Sequence, residues 1–196
     1  MEIRKAIKSD VDDLAYLINL AGEGIPEYLW GAMAGPGETA LEVGVKRAAR
    51  EEGGFSYRNA RVCTADEVIL GMQVSYCQPD PYEIGNLMDY PELVQPLVEL
   101  ESKVPGSWYL NAIATYEQYR GKGVGRRLMD DVEQQARSHG CTQISLIVAS
   151  ENQVAGELYQ RLGYRPVESR AVVPYPGCLH GGEWVLMVKK LETLMD

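Results

Sequence analysis

The chain has 196 residues, 45% of them hydrophobic and 24% charged, with a formal net charge of -9. That length suits one ordinary domain able to bury a real core, and the composition is that of a soluble globular protein. The acidic balance argues against broad nucleic-acid binding, and no apolar stretch approaches the length needed to span a membrane.

Cys63, Cys77, Cys141 and Cys178 form no CxxC pair, so metal-ligand spacing is absent and a reduced, cytoplasmic setting is expected. Met1-Glu2-Ile3-Arg4-Lys5 lacks the apolar run of a signal peptide.

Glu2–Ala6 reads as a first strand. Ser9, with Asp12 three residues on, reads as the cap of a helix whose apolar face is Val11, Leu14, Leu17, Ile18 and Ala21. Gly22 and Gly24 end it. Residues 25–53 read as a helical excursion. Pro26 suits a first helical turn, Gly35-Pro36-Gly37 breaks the run, and Leu41, Val45, Ala48 and Ala49 mark a second short helix. Val62 with Thr64, then Val68, Leu70, Met72, Val74 and Tyr76, have strand content. Ala65-Asp66-Glu67 is a turn too short for a crossover, so this pair is expected to be antiparallel. Prolines punctuate residues 78–107, and Leu93, Leu97, Val98 and Leu100 imply one short helix there.

Trp108 to Thr115 reads as a buried strand. It leads into Tyr116-Glu117-Gln118-Tyr119-Arg120-Gly121-Lys122-Gly123-Val124-Gly125-Arg126-Arg127. Three glycines alternate with Lys122 and Val124 where a helix should begin. Glycine lets the backbone bend tightly and a ligand come close. The first N–H groups of a helix lack internal partners and sit at the positive end of its dipole. Within an acidic chain, Arg120, Lys122, Arg126 and Arg127 fall together here. The loop is therefore either an anion site or a tight turn with solvated arginines.

Val124, Leu128, Val132 and Ala136 then form an i, i+4 ridge ending near His139-Gly140. Ile144–Ala149 is an unbroken apolar run, the pattern of a strand covered on both faces. Ser150 with Gln153 fits a capping box opening a helix with Ala155, Leu158 and Leu162 on its buried face. Arg170–Val173 and Trp184–Val188 read as closing strands around a glycine-rich loop, Pro174–Gly182. Strands and helices alternate through the centre, with hairpins at both ends. That predicts an α/β (α+β) fold: a mixed, mostly antiparallel twisted sheet with helices on both faces.

Other glycine loops fit worse. A Walker A loop needs Gly-Lys-Ser/Thr after four intervening residues, and none is present. A dinucleotide fingerprint begun at Gly121 and Gly123 would put Arg126 where its third glycine belongs.

Arg120, Gly123 and Gly125 resemble the acetyl-CoA loop of the GNAT superfamily of N-acetyltransferases: Gln or Arg, two residues, Gly, one residue, then Gly or Ala. A second similarity lies at Asn152, Leu158-Tyr159 and Leu162-Gly163-Tyr164, where the family shows Asn, then Leu-Tyr, then Leu-Gly-aromatic. Close similarity covers about residues 108–168. The resemblance implies a GNAT-like fold in a single domain over residues 1–196. Residues 25–53 would form a helical acceptor-side region, 78–107 an insertion, and 108–168 the acetyl-CoA core. The insertion is expected to carry substrate contacts or a homodimer surface.

The family's cofactor lies where two strands splay, here expected between the strand ending at Thr115 and the one ending at Ala149. By resemblance, backbone groups of Ile113, Ala114 and Thr115 hold the pantetheine arm and the acetyl carbonyl. N–H groups of Arg120, Gly121, Lys122, Gly123, Val124, Gly125 and Arg126 cradle the pyrophosphate. Asn152 contacts the pantetheine arm or the strand beside it. Tyr159 matches the family's general acid, with packing on an amphipathic helix as the other reading. Some members place a carboxylate base on the strand before the loop, where this chain has Asn111, Ala112 and Ile113. Glu99, Glu101, His180 or a water chain are the alternatives, and His180 alone has an ordinary pKa near neutrality. Glu23, Glu27 and Tyr28 are acceptor-side candidates or plain rim residues. The implied activity is transfer of acetyl from acetyl-CoA to a primary amine, without a metal, a nucleic acid or a membrane. The alternatives are a CoA-binding module without catalysis and a transferase using a longer acyl group.

Overall fold

In a computed structural model describing residues 1–192, strands and helices alternate from Glu2 to Lys190. The chain divides into two units. The first takes Met1–Tyr76 and Asn111–Gln134; the second takes Cys77–Leu110 and the chain from Gln135 onward.

In the first unit, β1 (Glu2–Lys5), β2 (Ala60–Ala65), β3 (Val68–Cys77) and β4 (Trp108–Thr115) follow one another in the sheet. The β1–β2 ladder is antiparallel, Glu2↔Thr64 to Lys5↔Arg61, as is β2–β3, Ala60↔Val74 to Ala65↔Val68. The turn at Ala65-Asp66-Glu67 falls where the alternation put it. Side chains alternate across a strand, so Val62 and Cys63 lead into two different cores. Val62, Met72, Val74, Ala112 and Ala114 pack with residues of α1 (Val11–Ala21), α2 (Ile25–Met33) and α3 (Ala40–Ala48). Cys63 and Leu70 pack with Val124 and Leu128 of α5 (Val124–Ser138). Helices therefore cover both faces of this sheet.

α1 buries Val11, Leu14, Ala15, Leu17 and Ile18 as its spacing requires, and Gly22 ends it with an N–H donated to Ile18 O at 2.9 Å. Its start differs from expectation. Lys8–Asp10 form a short 3-10 turn, and Asp10 rather than Ser9 accepts a backbone hydrogen bond, from Ile7 N–H at 2.8 Å. A carboxylate also binds Arg4, at 2.7 Å, which a serine hydroxyl would not do as strongly. α3 opens with a capping box between Thr39 and Glu42, and buries Val43 and Ala48 while Leu41 is exposed. Gly71 lets β3, β4 and α5 close up, because a Cβ there would lie 2.5 Å from Ala114 O.

In the second unit the order is β4, β5 (Gln143–Ala149), β7 (Glu183–Lys190), β6 (Arg165–Ala171). The β4–β5 ladder is parallel and runs Trp108↔Ile144, Tyr109↔Ser145, Leu110↔Leu146, where it ends. β7 is antiparallel to β5 and to β6. A mixed, mostly antiparallel sheet is thus what the chain forms. The short helix expected within residues 78–107 is α4 (Gln95–Glu101), which packs on β6 and β7. Ser107 and Ser145 hydroxyls share a buried hydrogen bond of 2.6 Å at the base of the β4–β5 ladder.

α6 (Gln153–Arg161) departs from its predicted start. Asn152, not Ser150, is the cap, its side-chain oxygen accepting from Ala155 N–H at 3.1 Å. The Ser150 hydroxyl instead accepts from Glu183 N–H at 3.0 Å, tying the helix entry to β7. Tyr159 is buried, while Ala155, Leu158 and Leu162 are only partly so. The face is narrower than the aliphatic spacing suggested, and centred on the aromatic residue. The closing strands start earlier than read from sequence, β6 at Arg165 and β7 at Glu183.

Candidate active site

The glycine loop belongs to the first unit. β4 ends at Thr115, Glu117–Tyr119 make a 3-10 turn, and α5 starts at Val124. Gly121 and Gly123 have φ of 72° and 82°, a left-handed backbone that residues with a Cβ resist. No protein atom lies within 4 Å of where a Cβ would stand on Gly121, Gly123 or Gly125. The space in front of the loop is therefore open at three alternate positions.

Hydrogen bonding leaves this backbone aimed outward. Arg127 N–H donates to Gly123 O at 3.1 Å. Among the described residues, no acceptor meets the N–H groups of Gly121 to Arg126. They are the orphan donors of a helix start, extended by two left-handed glycines. Val124, buried beside Leu128, pins the first turn to the sheet, so the array is fixed by packing.

The four cations are not equivalent. Arg126 pairs with Asp130 one turn along its own helix, at 2.9 Å, and Arg127 donates to Met1 O at 3.0 Å. Lys122 Nζ stands 5.4 Å from the centre of the Tyr119 ring. Arg120 is exposed and has no ion pair among the described residues. Just before the loop, Tyr116 stacks on Tyr16 at 5.3 Å and donates to Asp13. Burial, the Asp13 hydrogen bond and its charge push the Tyr116 phenol upward, so it stays protonated.

The acceptor-side candidates are also in this unit. Glu27 accepts from Asn19 Nδ2 at 3.3 Å, and its N–H donates to Asn19 Oδ1 at 2.9 Å, so it joins α2 to α1. Glu23 sits in the turn between those helices with φ of 51°, and Tyr28 is 38% exposed.

The second unit holds Asn152, Tyr159 and the base candidates. Tyr159 is 8% exposed, with its ring 5.9 Å from that of Tyr164. His180, in the β6–β7 connection, has Nδ1 3.4 Å from a Glu151 carboxylate oxygen and meets Trp184 edge-on at 6.5 Å. Glu99 is engaged by Arg170 at 2.8 Å, and Arg170 also binds Glu168 at 3.0 Å. Glu101 differs from both. Tyr82 donates to its carboxylate at 2.9 Å and Tyr109 of β4 donates to it as well. Burial nevertheless outweighs those donors and pushes this carboxyl above the usual glutamate range. The two tyrosines were not singled out from sequence. The available signal was a tyrosine within an aliphatic strand, eight residues after a glutamate, which spacing alone does not join. No cluster of three or more His, Cys, Asp and Glu side chains is arranged to hold a metal among the described residues.

The acetyltransferase (GNAT) family model matches residues 82–164, which take in the loop, Asn152 and Tyr159. This segment of the chain is similar to the GNAT acetyltransferases. An uncharacterized N-acetyltransferase of Bacillus subtilis is 40% identical over 53 residues, 27% of this chain and 34% of that protein. A thialysine N-epsilon-acetyltransferase of Sus scrofa is 39% identical over 57 residues, 29% of this chain and 34% of that one. The match thus spans about a third of the length of these curated relatives. Over the whole fold, the solved polyamine N-acetyltransferase of Drosophila melanogaster superposes with a TM-score of 0.68 at 18% identity, covering 97% of this chain and 99% of its own. The fold is therefore shared from end to end with that structure, while the family model matches residues 82–164.

Proposed function

We propose that this protein is an acetyl-CoA-dependent N-acetyltransferase acting on a primary amine of a small molecule or peptide. The observation that carries the reading is the outward-facing N–H array from Gly121 to Arg126, with open space where three glycine side chains would be. That array fits a diphosphate: orphan donors, a positive helix end and a nearby Arg120 that has no ion pair among the described residues. Ile113–Thr115 lie on the strand leading into the array, and their backbone is assigned to the pantetheine arm. Asn152 is assigned to the same arm, although its side-chain oxygen also caps α6.

When bound, acetyl-CoA supplies an acetyl thioester. The rest of the chemistry falls to the chain. Backbone N–H groups of β4 steady the carbonyl oxygen as negative charge develops on it. Tyr159 is assigned as the acid that supplies a proton to the departing sulfur, a phenol of ordinary pKa near 10 being able to protonate a thiolate. His180 is a candidate for the base, and its Nδ1 contact with Glu151 and edge contact with Trp184 suit a positioned ring in the β6–β7 connection. The amine attacks directly within a ternary complex, so no covalent enzyme intermediate forms.

The pig relative is named for acetylating an N-epsilon group, which supports an aliphatic amine as acceptor here. Free thiols at Cys63, Cys77, Cys141 and Cys178 support a cytoplasmic setting. The absence of a carboxylate at Asn111–Ile113 favours one competing reading, a CoA-binding module without turnover. Thiol release from acetyl-CoA against a panel of aliphatic amines and lysine peptides separates them. Amine-dependent release, with intersecting rather than parallel double-reciprocal lines, is the expected result. Release that no amine raises above background contradicts the transferase reading.

A further inference from the structure

Cys77 and Cys141 are 64 residues apart in the chain, yet the Cys141 thiol donates to Cys77 Sγ at 3.5 Å. Both belong to the second unit. Cys77 is the last residue of β3 and is exposed. Its own thiol donates onward to Gln78 O at 3.5 Å. Cys141 stands just past α5, half-buried, with its N–H donated to Ala136 O at 3.0 Å. Gln78 N–H is tied to Ser107 O at 2.9 Å. Hydrogen bonds therefore hold the backbone beside each sulfur. The two sulfurs are already in van der Waals contact, one step from the about 2 Å of a disulfide bond. The other cysteines are placed differently. Cys63 is buried in an apolar core, and Cys178 donates to His180 O at 3.0 Å.

We propose that Cys77 and Cys141 form a reversible thiol–disulfide site, in which Cys77 reacts first with a small-molecule disulfide and Cys141 resolves the adduct. The inference does not depend on the acetyltransferase reading. The Cys77 thiolate attacks one sulfur of the oxidant, for example glutathione disulfide. A new S–S bond forms to Cys77 and the oxidant's own S–S bond breaks. One glutathione thiolate leaves and takes up the proton that Cys77 gave to solvent. Cys141 then gives its proton to solvent and attacks Cys77 Sγ. The Cys77–Cys141 bond forms and the second glutathione leaves as a thiol. Two protein thiols lose two electrons, and one small disulfide is reduced to two thiols.

The order follows from the surroundings. Cys77 is exposed, so an oxidant reaches it directly. The Cys141 thiol is pushed up to about 12 by burial, by its hydrogen bond to Cys77 and by the charge of Cys77. It stays protonated while Cys77 attacks. In the mixed disulfide Cys77 carries no charge, so one cause of that rise is gone when Cys141 has to ionise. The new bond closes a covalent ring over the chain between the two residues, which carries α4, β4, the glycine loop and α5. A long ring restricts the unfolded chain, so the oxidised protein should be the more stable form. In a reducing compartment such a pair stays as thiols until a disulfide oxidant accumulates.

The test equilibrates the full chain in glutathione buffers of rising disulfide content, stops exchange with acid, and reads the intact mass and the linked peptides. Wild type is expected to give a product about 2 Da lighter than the reduced chain. In it the peptides containing Cys77 and Cys141 are joined, and dithiothreitol separates them again. Cys141→Ser lacks the resolving thiol and should hold glutathione on Cys77. Cys77→Ser should take up none on Cys141. The Tm of oxidised wild type should exceed that of the reduced form by about 5–10 °C, a rise that both serine variants lack. A wild type that keeps both thiols, or that holds glutathione on Cys77 without the linked peptide, overturns the proposal. So does a bond from either residue to Cys63 or Cys178, or a Cys77–Cys141 bond that lowers Tm.

Discussion

At Gly123 the backbone has φ of 82° and no protein atom near the missing side chain, so a larger residue there meets two separate penalties. The left-handed conformation costs a residue with a Cβ about 1–2 kcal/mol, and the side chain would occupy the space assigned to the diphosphate. Gly123→Val should weaken acetyl-CoA binding at least tenfold while the far-ultraviolet spectrum stays that of the wild type. Equal affinity in a titration would remove the loop from the site. Tyr159 poses the opposite question, since burial alone would explain a tyrosine on α6. Tyr159→Phe keeps the ring and removes only the hydroxyl. It should keep the dissociation constant for acetyl-CoA and lower kcat by about 10²-fold; an unchanged kcat would assign the ring to packing. Some residues were legible from sequence and others were not, for definite reasons. The glycines and Tyr159 stand at fixed spacing within a motif. Asn152 was legible as a motif residue but not as a cap, because Ser150 offers the same chemistry two positions earlier and only the fold shows that Glu183 N–H claims it.

At the level of elements, α5 holds the loop and must itself be held. Its ridge of Val124, Leu128, Val132 and Ala136 is buried throughout, as the i, i+4 spacing demanded. A polar anchor accompanies it: Asp131 accepts from Arg61 of β2 at 3.0 Å and from Gln73 of β3 at 3.2 Å. The periodicity of α5 does not single out Asp131, because partners fifty or more residues away leave no trace in local spacing. Asp131→Ala leaves a partly buried arginine and a buried amide without this acceptor, and should cost about 2–3 kcal/mol, read as a lower denaturation midpoint. Asn152→Ala removes the α6 cap and should cost about 1 kcal/mol. A larger coenzyme-binding defect than that loss explains would show that Asn152 also serves the pantetheine arm. α4 illustrates what patterning can and cannot reach. Leu93, Leu97, Val98 and Leu100 announced a helix, and Gln95–Glu101 is one, but its packing on β6 and β7, and hence Glu101's clasp, depend on tertiary contacts.

For the molecule as a whole, two carboxyls with opposite pKa shifts give stability opposite slopes with pH. Burial raises the Asp10 carboxyl, but the Arg4 hydrogen bond, the Ile7 N–H and the Arg4 charge together hold it below the ordinary aspartate value. A folded pKa below the unfolded one adds stability above the unfolded value, lost as pH falls through the folded value. Asp10→Asn should therefore lower Tm near neutrality and matter little in strong acid. Glu101 is shifted upward, so its contribution is fully present below the unfolded pKa and is lost as pH rises through the folded one. Glu101→Gln should accordingly raise Tm at about pH 8 relative to wild type and leave it unchanged at about pH 4, where both states carry the proton. A thermal scan of the two variants against pH checks both slopes.

The account as a whole depends on coenzyme A being held at the start of α5, and isothermal titration of acetyl-CoA into the purified protein tests that most directly. The account predicts saturable binding at one site per chain with a dissociation constant of about 1–100 μM, as for an ordinary enzyme substrate, and its loss in Gly123→Val. Absence of heat with acetyl-CoA at about 1 mM, ten or more times that range, would contradict it.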